Sequence, residues 1–234
     1  MGNKKVIWLT GASTGIGLAI AKTTISKGYF VYATSRRADV IEGELMVCNG
    51  KYSALNCDVT EPESVNETYR TIISNSGKVD VLINNAGVTA FKSFTDTDLN
   101  DYNRIMDTNS RGTFLCSKAV IDGMKQRKSG MIINILSIAA ISSLTESSVY
   151  SASKSAILTY SNVLREEVRK DRIKICNILP GATNTEMWAE EVREKFHDKM
   201  MNSESISDVV NYVLDAPDDI AIEEIIVKPV EGNI

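Results

Sequence analysis

The stretch Val6–Gly17, VIWLTGASTGIG, decides the fold. Its first five residues are apolar or β-branched and read as a strand buried on both faces. They run straight into Gly11, Gly15 and Gly17, and a helix is expected from Gly15 to Lys27. Such a turn leaves backbone N–H groups at the helix N-terminus facing outward, where they favour an anion. The glycines keep side chains out of that approach, Ser13 and Thr14 add hydroxyl donors, and Ile16 completes the turn. TGASTGIG therefore reads as a diphosphate cradle, with a tight turn that holds no ligand as the alternative.

Outward from this point, short β-branched runs alternate with longer amphipathic ones. Strands are expected at Tyr29–Thr34, Ser53–Val59, Val79–Asn85, Gly130–Ser137, Arg172–Pro180 and Glu223–Pro229. Helices are expected at Glu61–Ser76, Leu99–Arg127 and Val149–Lys170. The segment Ala38–Lys51 is short for a full helix. Continuously apolar strands alternating with helices imply an α/β, doubly wound, Rossmann-type fold with about seven parallel strands and helices on both faces. No linker or repeat divides residues 1–234, so one domain is expected. Ligands of such sheets bind beyond the carboxyl ends of the strands. Gly11–Gly17, Asp58, Asn84–Gly87, Ser137 and Pro180–Thr185 all fall there.

The residue class that follows the second strand selects the nucleotide. An acidic residue there would bind a ribose 2′-hydroxyl, but the chain offers Ser35, Arg36 and Arg37. An arginine fork suits a 2′-phosphate, so NADP(H) is expected ahead of NAD.

Downstream, Tyr150 and Lys154 sit four residues apart in YSASK, and Ser137 precedes the tyrosine by thirteen. The pair YxxxK alone means little, because eight tyrosines in 234 residues make a chance match common. Its place on a helix behind the fifth strand gives it weight, since positions i and i+4 share one helix face. A hydride delivered to a carbonyl leaves an oxyanion that must take a proton. An ammonium about 4.5 Å from a phenol, at an effective dielectric near 20, contributes roughly 3–4 kcal/mol to phenolate stability. That predicts a tyrosine acidified by about two to three pKa units, fit for acid–base work near neutrality. Ser137 would donate to the substrate oxygen.

Together TGASTGIG, CDV around Asp58, NNAG at Asn84–Gly87, Asn109, Ser137, YSASK and the Pro180–Gly181 pair resemble the short-chain dehydrogenase/reductase family over roughly Lys4 to Thr185. The compact single-domain branch is the nearest, including members similar to 3-oxoacyl-acyl-carrier-protein reductases. The resemblance implies that Asp58 and Val59 meet the adenine and that Asn85, Ala86 and Gly87 line the cofactor bed. It implies that Tyr150 and Lys154 approach the nicotinamide ribose, and that Pro180, Gly181, Thr183 and Thr185 meet the carboxamide and diphosphate side. It implies further that Asn109 holds a water linking Lys154 to solvent. A homodimer or homotetramer is implied as well, with Ala156, Ile157, Tyr160 and Leu164 on the seam. The ending VKPVEGNI lacks the glycine-rich turn common after the last strand in this branch.

Composition sets the remaining bounds. A formal charge of −4 gives no footprint for nucleic acid or an anionic membrane. The longest apolar stretch, Met131–Leu144, is too short and too serine-rich to span a bilayer. The start MGNKK reaches the glycine turn too soon for a signal core, and Val6 occupies the place where an acylation motif on Gly2 wants Ser or Thr. Cys48, Cys57, Cys116 and Cys176 show no metal-type spacing and read as free thiols of a reducing cytoplasm, so no metal site is expected. Trp188, Val192 and Phe196 recur every four residues, which predicts an amphipathic helix within an insertion at about 184–203, either a lid over the nicotinamide or a surface helix packing its stripe on the core. The only histidine, His197, reads as solvated. The expected function is NADP(H)-dependent interconversion of a carbonyl (ketone or oxoacyl) and a secondary alcohol. The alternatives are a cofactor-binding regulator without turnover and an NAD-dependent polyol or hydroxy-acid dehydrogenase.

Overall fold

A computed structural model describes residues 5–232, so Gly2 and the last two residues of the chain lie outside the described residues. Seven parallel strands form one sheet: β1 Val6–Thr10, β2 Phe30–Ser35, β3 Tyr52–Asn56, β4 Val81–Asn84, β5 Gly130–Ile135, β6 Ile173–Pro180 and β7 Glu224–Val227. Their order is β3-β2-β1-β4-β5-β6-β7. The chain leaves β1 in one direction to β2 and returns on its other side at β4, so a crevice opens above β1 and β4.

All five residues of β1 are buried, and alternation splits them between two cores. Ile7 and Leu9 join Ile20 and Ile25 of helix α1 (Gly15–Ser26) and Val210 and Leu214 of helix α8 (Ser203–Leu214). Trp8 points the other way, among Val65 and Ile72 of α3 (Pro62–Ser76) and Val120 and Met124 of α5 (Gly112–Arg127). The Trp8 Nε1–H is not left bare there, because it donates to Thr34 Oγ1 at 3.2 Å.

One polar row crosses the buried sheet. Asn84, Asn134 and Asn177 lie side by side in the register of β4, β5 and β6. Asn84 Nδ2 donates to Asn134 Oδ1 at 2.9 Å and to Ser117 Oγ at 3.1 Å, and Asn134 Nδ2 donates to Asn177 Oδ1 at 2.9 Å. Asn177 donates in turn to Asn162 of helix α6 (Ser148–Val168). An amide in mid-sheet is costly unless it is paired, and each Nδ2 of the row donates to a neighbouring element, while the Asn84 Oδ1 is buried without a partner. The row locks the three strands whose carboxyl ends carry the downstream motifs.

Four elements depart from expectation. The helix from Leu99 to Arg127 is broken into α4 (Leu99–Ile105), a π-helical turn at Met106–Arg111, and α5. That wide turn leaves Asn109 fully buried. Ala38–Leu45 does form a short helix, α2, with Ile41 and Leu45 buried to anchor it. In the lid, only Glu190–Phe196 (α7) is α-helical and none of its residues is buried, so Trp188 precedes the helix and the expected stripe is not built. Helix α8 was not anticipated. Its signals were an Asn202 cap that accepts from the Ser205 N–H, and apolar Ile206, Val210, Val213 and Leu214 at helical spacing. Its pairing with α1 also explains why Thr23, Ser207 and Asn211 meet there.

Candidate active site

A cavity of about 650 Å³ lies above the carboxyl ends of the strands, with the glycine turn at one end. Gly11 and Gly15 hold φ of +67° and +55°, a left-handed backbone that side chains disfavour. A Cβ on Gly11 would meet the Ala86 Cα at 2.7 Å. A Cβ on Gly17 would overlap the Gly11 carbonyl oxygen and the Asn85 amide nitrogen. Asn85 explains the closeness: Nδ2 donates to the Thr10 and Gly11 carbonyls at 3.1 and 2.9 Å. Thr10 Oγ1 returns the link by accepting from the Asn85 and Ala86 N–H groups at 3.1 Å. NNAG therefore clamps the glycine turn as well as lining the bed beside it.

The Thr14 side chain makes no capping bond, so it does not close off the first turn of α1. Arg37 reaches back to donate to Ser13 Oγ at 3.3 Å, which brings a guanidinium beside the turn, and Arg36 is exposed next to it. Asp58 Oδ1 accepts from the Thr60 N–H and hydroxyl at 3.0 and 2.8 Å, and the Asp58 N–H donates to Ser64 Oγ. A bare backbone cradle, a helix N-terminus and a nearby guanidinium suit a dinucleotide diphosphate with a further phosphate.

The other wall carries the polar triad. Ser137 follows β5, and its Oγ accepts from the Ala139 N–H at 3.1 Å, which fixes its rotamer at the start of a single 3₁₀ turn. Tyr150 and Lys154 are both buried on α6. Lys154 Nζ donates to the Ile135 carbonyl at 2.9 Å and stands 5.8 Å from the centroid of the Tyr150 ring. The expected acidification of the phenol is not what the structure shows. Burial pushes Tyr150 up to about 12, against a smaller downward pull from a Ser137 hydrogen bond. Burial also brings Lys154 down to about 8. Desolvation outweighs attraction because both polar ends are withdrawn from water, and the amine is turned onto a backbone carbonyl.

Every residue expected to contact the cofactor or substrate lines this cavity except Asn109. Asn109 sits behind it. Oδ1 accepts from the Val88 N–H at 2.8 Å, and Nδ2 donates to the Val88 carbonyl and Ser153 Oγ, each at 2.9 Å. Its amide thus fastens the loop after β4 to α6. Asn109 Oδ1 and Lys154 Nζ come within 3.4 and 3.6 Å of where a Cβ on Gly87 would lie. Ile157, placed on the seam by resemblance, belongs to the chain's own core with Leu136 and Leu179.

At the outer end of the cavity Trp188, expected in a lid, lines it with Met187, whereas sequence reading missed Val88, Thr89, Phe91, Arg104, Leu144 and Glu186. The Phe91 and Trp188 rings stack with centroids 4.6 Å apart and planes at 14°. The lid also rests on the glycine turn, with Thr185 Cγ2 and Glu186 Oε2 lying 3.1 and 3.5 Å from where a Gly15 Cβ would lie. Among the described residues no group of three or more His, Cys, Asp or Glu could hold a metal ion, and no helix is long and apolar enough to cross a membrane.

The model of a family described as short chain dehydrogenase matches residues 5–195. A farnesol dehydrogenase from Aedes aegypti is 34% identical over 236 residues, covering 97% of this chain and 96% of the relative. An alcohol dehydrogenase from the archaeon Thermococcus sibiricus, solved in complex with 5-hydroxy-NADP, superposes with a TM-score of 0.88 at 25% identity over 99% of both chains. The closed form of a serine dehydrogenase complexed with NADP+ gives 0.90 at 25% identity, over 98% of this chain and 96% of that one.

Proposed function

We propose that this chain, which belongs to the short-chain dehydrogenase/reductase family of NAD(P)-dependent oxidoreductases, uses NADP(H) to interconvert a carbonyl and a secondary alcohol, with Tyr150 as the acid and base. One observation carries the reading: Ser137, Tyr150 and Lys154 share a cavity whose opposite end is a glycine cradle flanked by Arg36 and Arg37. Neighbours crystallised with NADP or a derivative of it support the choice of nucleotide.

When bound, the nicotinamide supplies or accepts the hydride. The protein manages the proton. Burial raises the Tyr150 pKa, so the phenol is protonated at neutral pH and stands as the donor when a carbonyl is reduced. Ser137 donates to the substrate oxygen as negative charge develops there. Once Tyr150 has released its proton, the cationic Lys154 stabilises the phenolate from the same helix face. Burial shifts the two groups in opposite senses, Tyr150 up and Lys154 down, which favours the proton on the phenol. Asn109, behind Lys154, is proposed to keep a solvent path open to that amine.

Thr183 and Thr185 are proposed to meet the carboxamide and diphosphate, and Asp58 and Val59 the adenine. A self-association face fits the partly covered Tyr160 and the exposed Phe114, whose rings meet edge-on at 6.4 Å. The test of function is the consumption of NADPH and NADH against a panel of carbonyl compounds. NADPH should be preferred, and replacing Arg36 and Arg37 with alanine should weaken NADPH about tenfold more than NADH. Equal losses would remove the arginines from phosphate recognition.

A further inference from the structure

The Phe91–Trp188 stack joins two loops that converge over the substrate end. Phe91 belongs to the loop after β4, which is tied down by Arg104 donating to the Thr89 carbonyl at 3.2 Å and by the Lys92 N–H donating to the Glu146 carbonyl at 2.9 Å. Trp188 belongs to the lid, whose two ends are tied together by the Asn184 N–H donating to the Met201 carbonyl at 2.8 Å and the Met201 N–H donating to the Ala182 carbonyl at 3.0 Å. Apolar side chains share this end: Val88 and Leu144 line the cavity and pack in one cluster with Ile105 and Tyr150, and Met187 lines it next to Trp188 in the chain. Phe91 and Met187 remain 40% and 39% exposed, which is hydrocarbon surface open to be covered.

Charge at this end is already neutralised or of the wrong sign for an anion. Of the cations lining this end, Lys154 is turned onto the Ile135 carbonyl and Arg104 lies 3.5 Å from Asp101. Asp101 also holds Lys92, and the two cations keep its carboxyl below the usual carboxylate range. The lid itself brings the Glu186 carboxylate.

We infer that Phe91 and Trp188 set substrate choice, forming the roof of a slot for an uncharged carbonyl or alcohol carried on a hydrocarbon body. The inference rests on the oxidoreductase reading above and narrows its substrate class. A hydrocarbon chain gains by covering the two rings and Met187, whereas a carboxylate would lose water without gaining an unpaired cation.

The test compares a short methyl ketone, a long-chain methyl ketone and the ω-carboxylate of the latter on the wild-type protein with NADPH. Acrylamide quenching of tryptophan fluorescence runs in parallel. The chain has two tryptophans, and Trp8 is fully buried, so the quenchable signal is that of Trp188. The long ketone should exceed the short one and its carboxylate by about tenfold or more in kcat/KM, and it should shield Trp188. Trp188→Ala and Phe91→Ala should each collapse that preference through KM, and Trp188→Phe should keep most of it. A preference that survives both alanine variants, or a carboxylate turned over as well as the neutral ketone, overturns the slot and leaves the oxidoreductase standing. Shielding of Trp188 with no turnover of any carbonyl keeps the slot and removes the activity. The absence of both shielding and chain-length preference overturns the slot.

Discussion

At one end of the cavity the shape is set by atoms that are missing. Gly17 has no room for a Cβ between the Gly11 carbonyl and Asn85, and Gly11 lies nearly as close to Ala86. At the other end the shape is set by large side chains on loops, Phe91 stacked on Trp188 with Leu144 and Met187 also lining it. A wall of backbone has few alternatives, so its residue types follow from sterics alone. A wall of rings and thioethers can be rebuilt from many sequences. The first end therefore tolerates few changes of residue, and the second tolerates many.

The largest expected effect falls where the two ends meet. Tyr150→Phe should lower kcat by about 10²–10⁴-fold while NADPH affinity stays within about twofold, read by steady-state kinetics and cofactor fluorescence. Activity within tenfold of wild type would show that another group moves the proton.

At the backbone end, Gly17→Ala should destabilise the chain by about 1–3 kcal/mol and cut NADPH affinity on the order of a hundredfold. Urea unfolding and cofactor titration measure both. Unchanged binding would mean that the cradle is more pliant than its contacts imply.

Buried Lys154 sharpens the comparison through pH. Its folded pKa lies below its unfolded value, so between about 8 and 10.5 the unfolded chain binds more protons and stability rises with pH. The fall from 10.5 to about 8 corresponds to a penalty on the order of 3 kcal/mol, present in full below the folded pKa. Lys154→Met removes this dependence, and its gain over wild type should shrink as pH rises from 7 to about 10. A gap that stays constant in thermal unfolding would show that the amine is not buried as a cation. The window closes near 10, above which the raised Tyr150 pKa acts in the opposite sense.

The smallest effect belongs to the lid. Glu186 holds a carboxylate 3.5 Å from where a Gly15 Cβ would lie, beside the site read for a diphosphate. Glu186→Gln should tighten NADPH two- to fivefold at low salt and less at high salt, as expected for an exposed like charge. A loss of affinity would show that the carboxylate serves the cofactor rather than opposing it.

What could be read from the chain beforehand follows the same division. The parallel sheet, its carboxyl-end motifs and the glycine turn are local patterns, and they stand in the structure where the sequence placed them. The π turn could not be read, because it depends on Asn109 finding Val88 and Ser153 from other elements. The lid stripe misled because Trp188 answers to Phe91, nearly a hundred residues earlier, rather than to Val192. The phenol's acidity was misjudged for a related reason. Spacing along a helix gives the distance to a charge but says nothing of the water both groups lose.

The amide row through Asn84, Asn134 and Asn177 has a consequence for how such a chain can change over generations. It holds the floor beneath Ser137 and Tyr150 by contacts that no loop residue shares. Substitutions at Phe91 or Trp188 leave these amide bonds untouched. If Tyr150 is the proton donor as proposed, a lineage can change its substrate by altering the two rings while that donor keeps its footing.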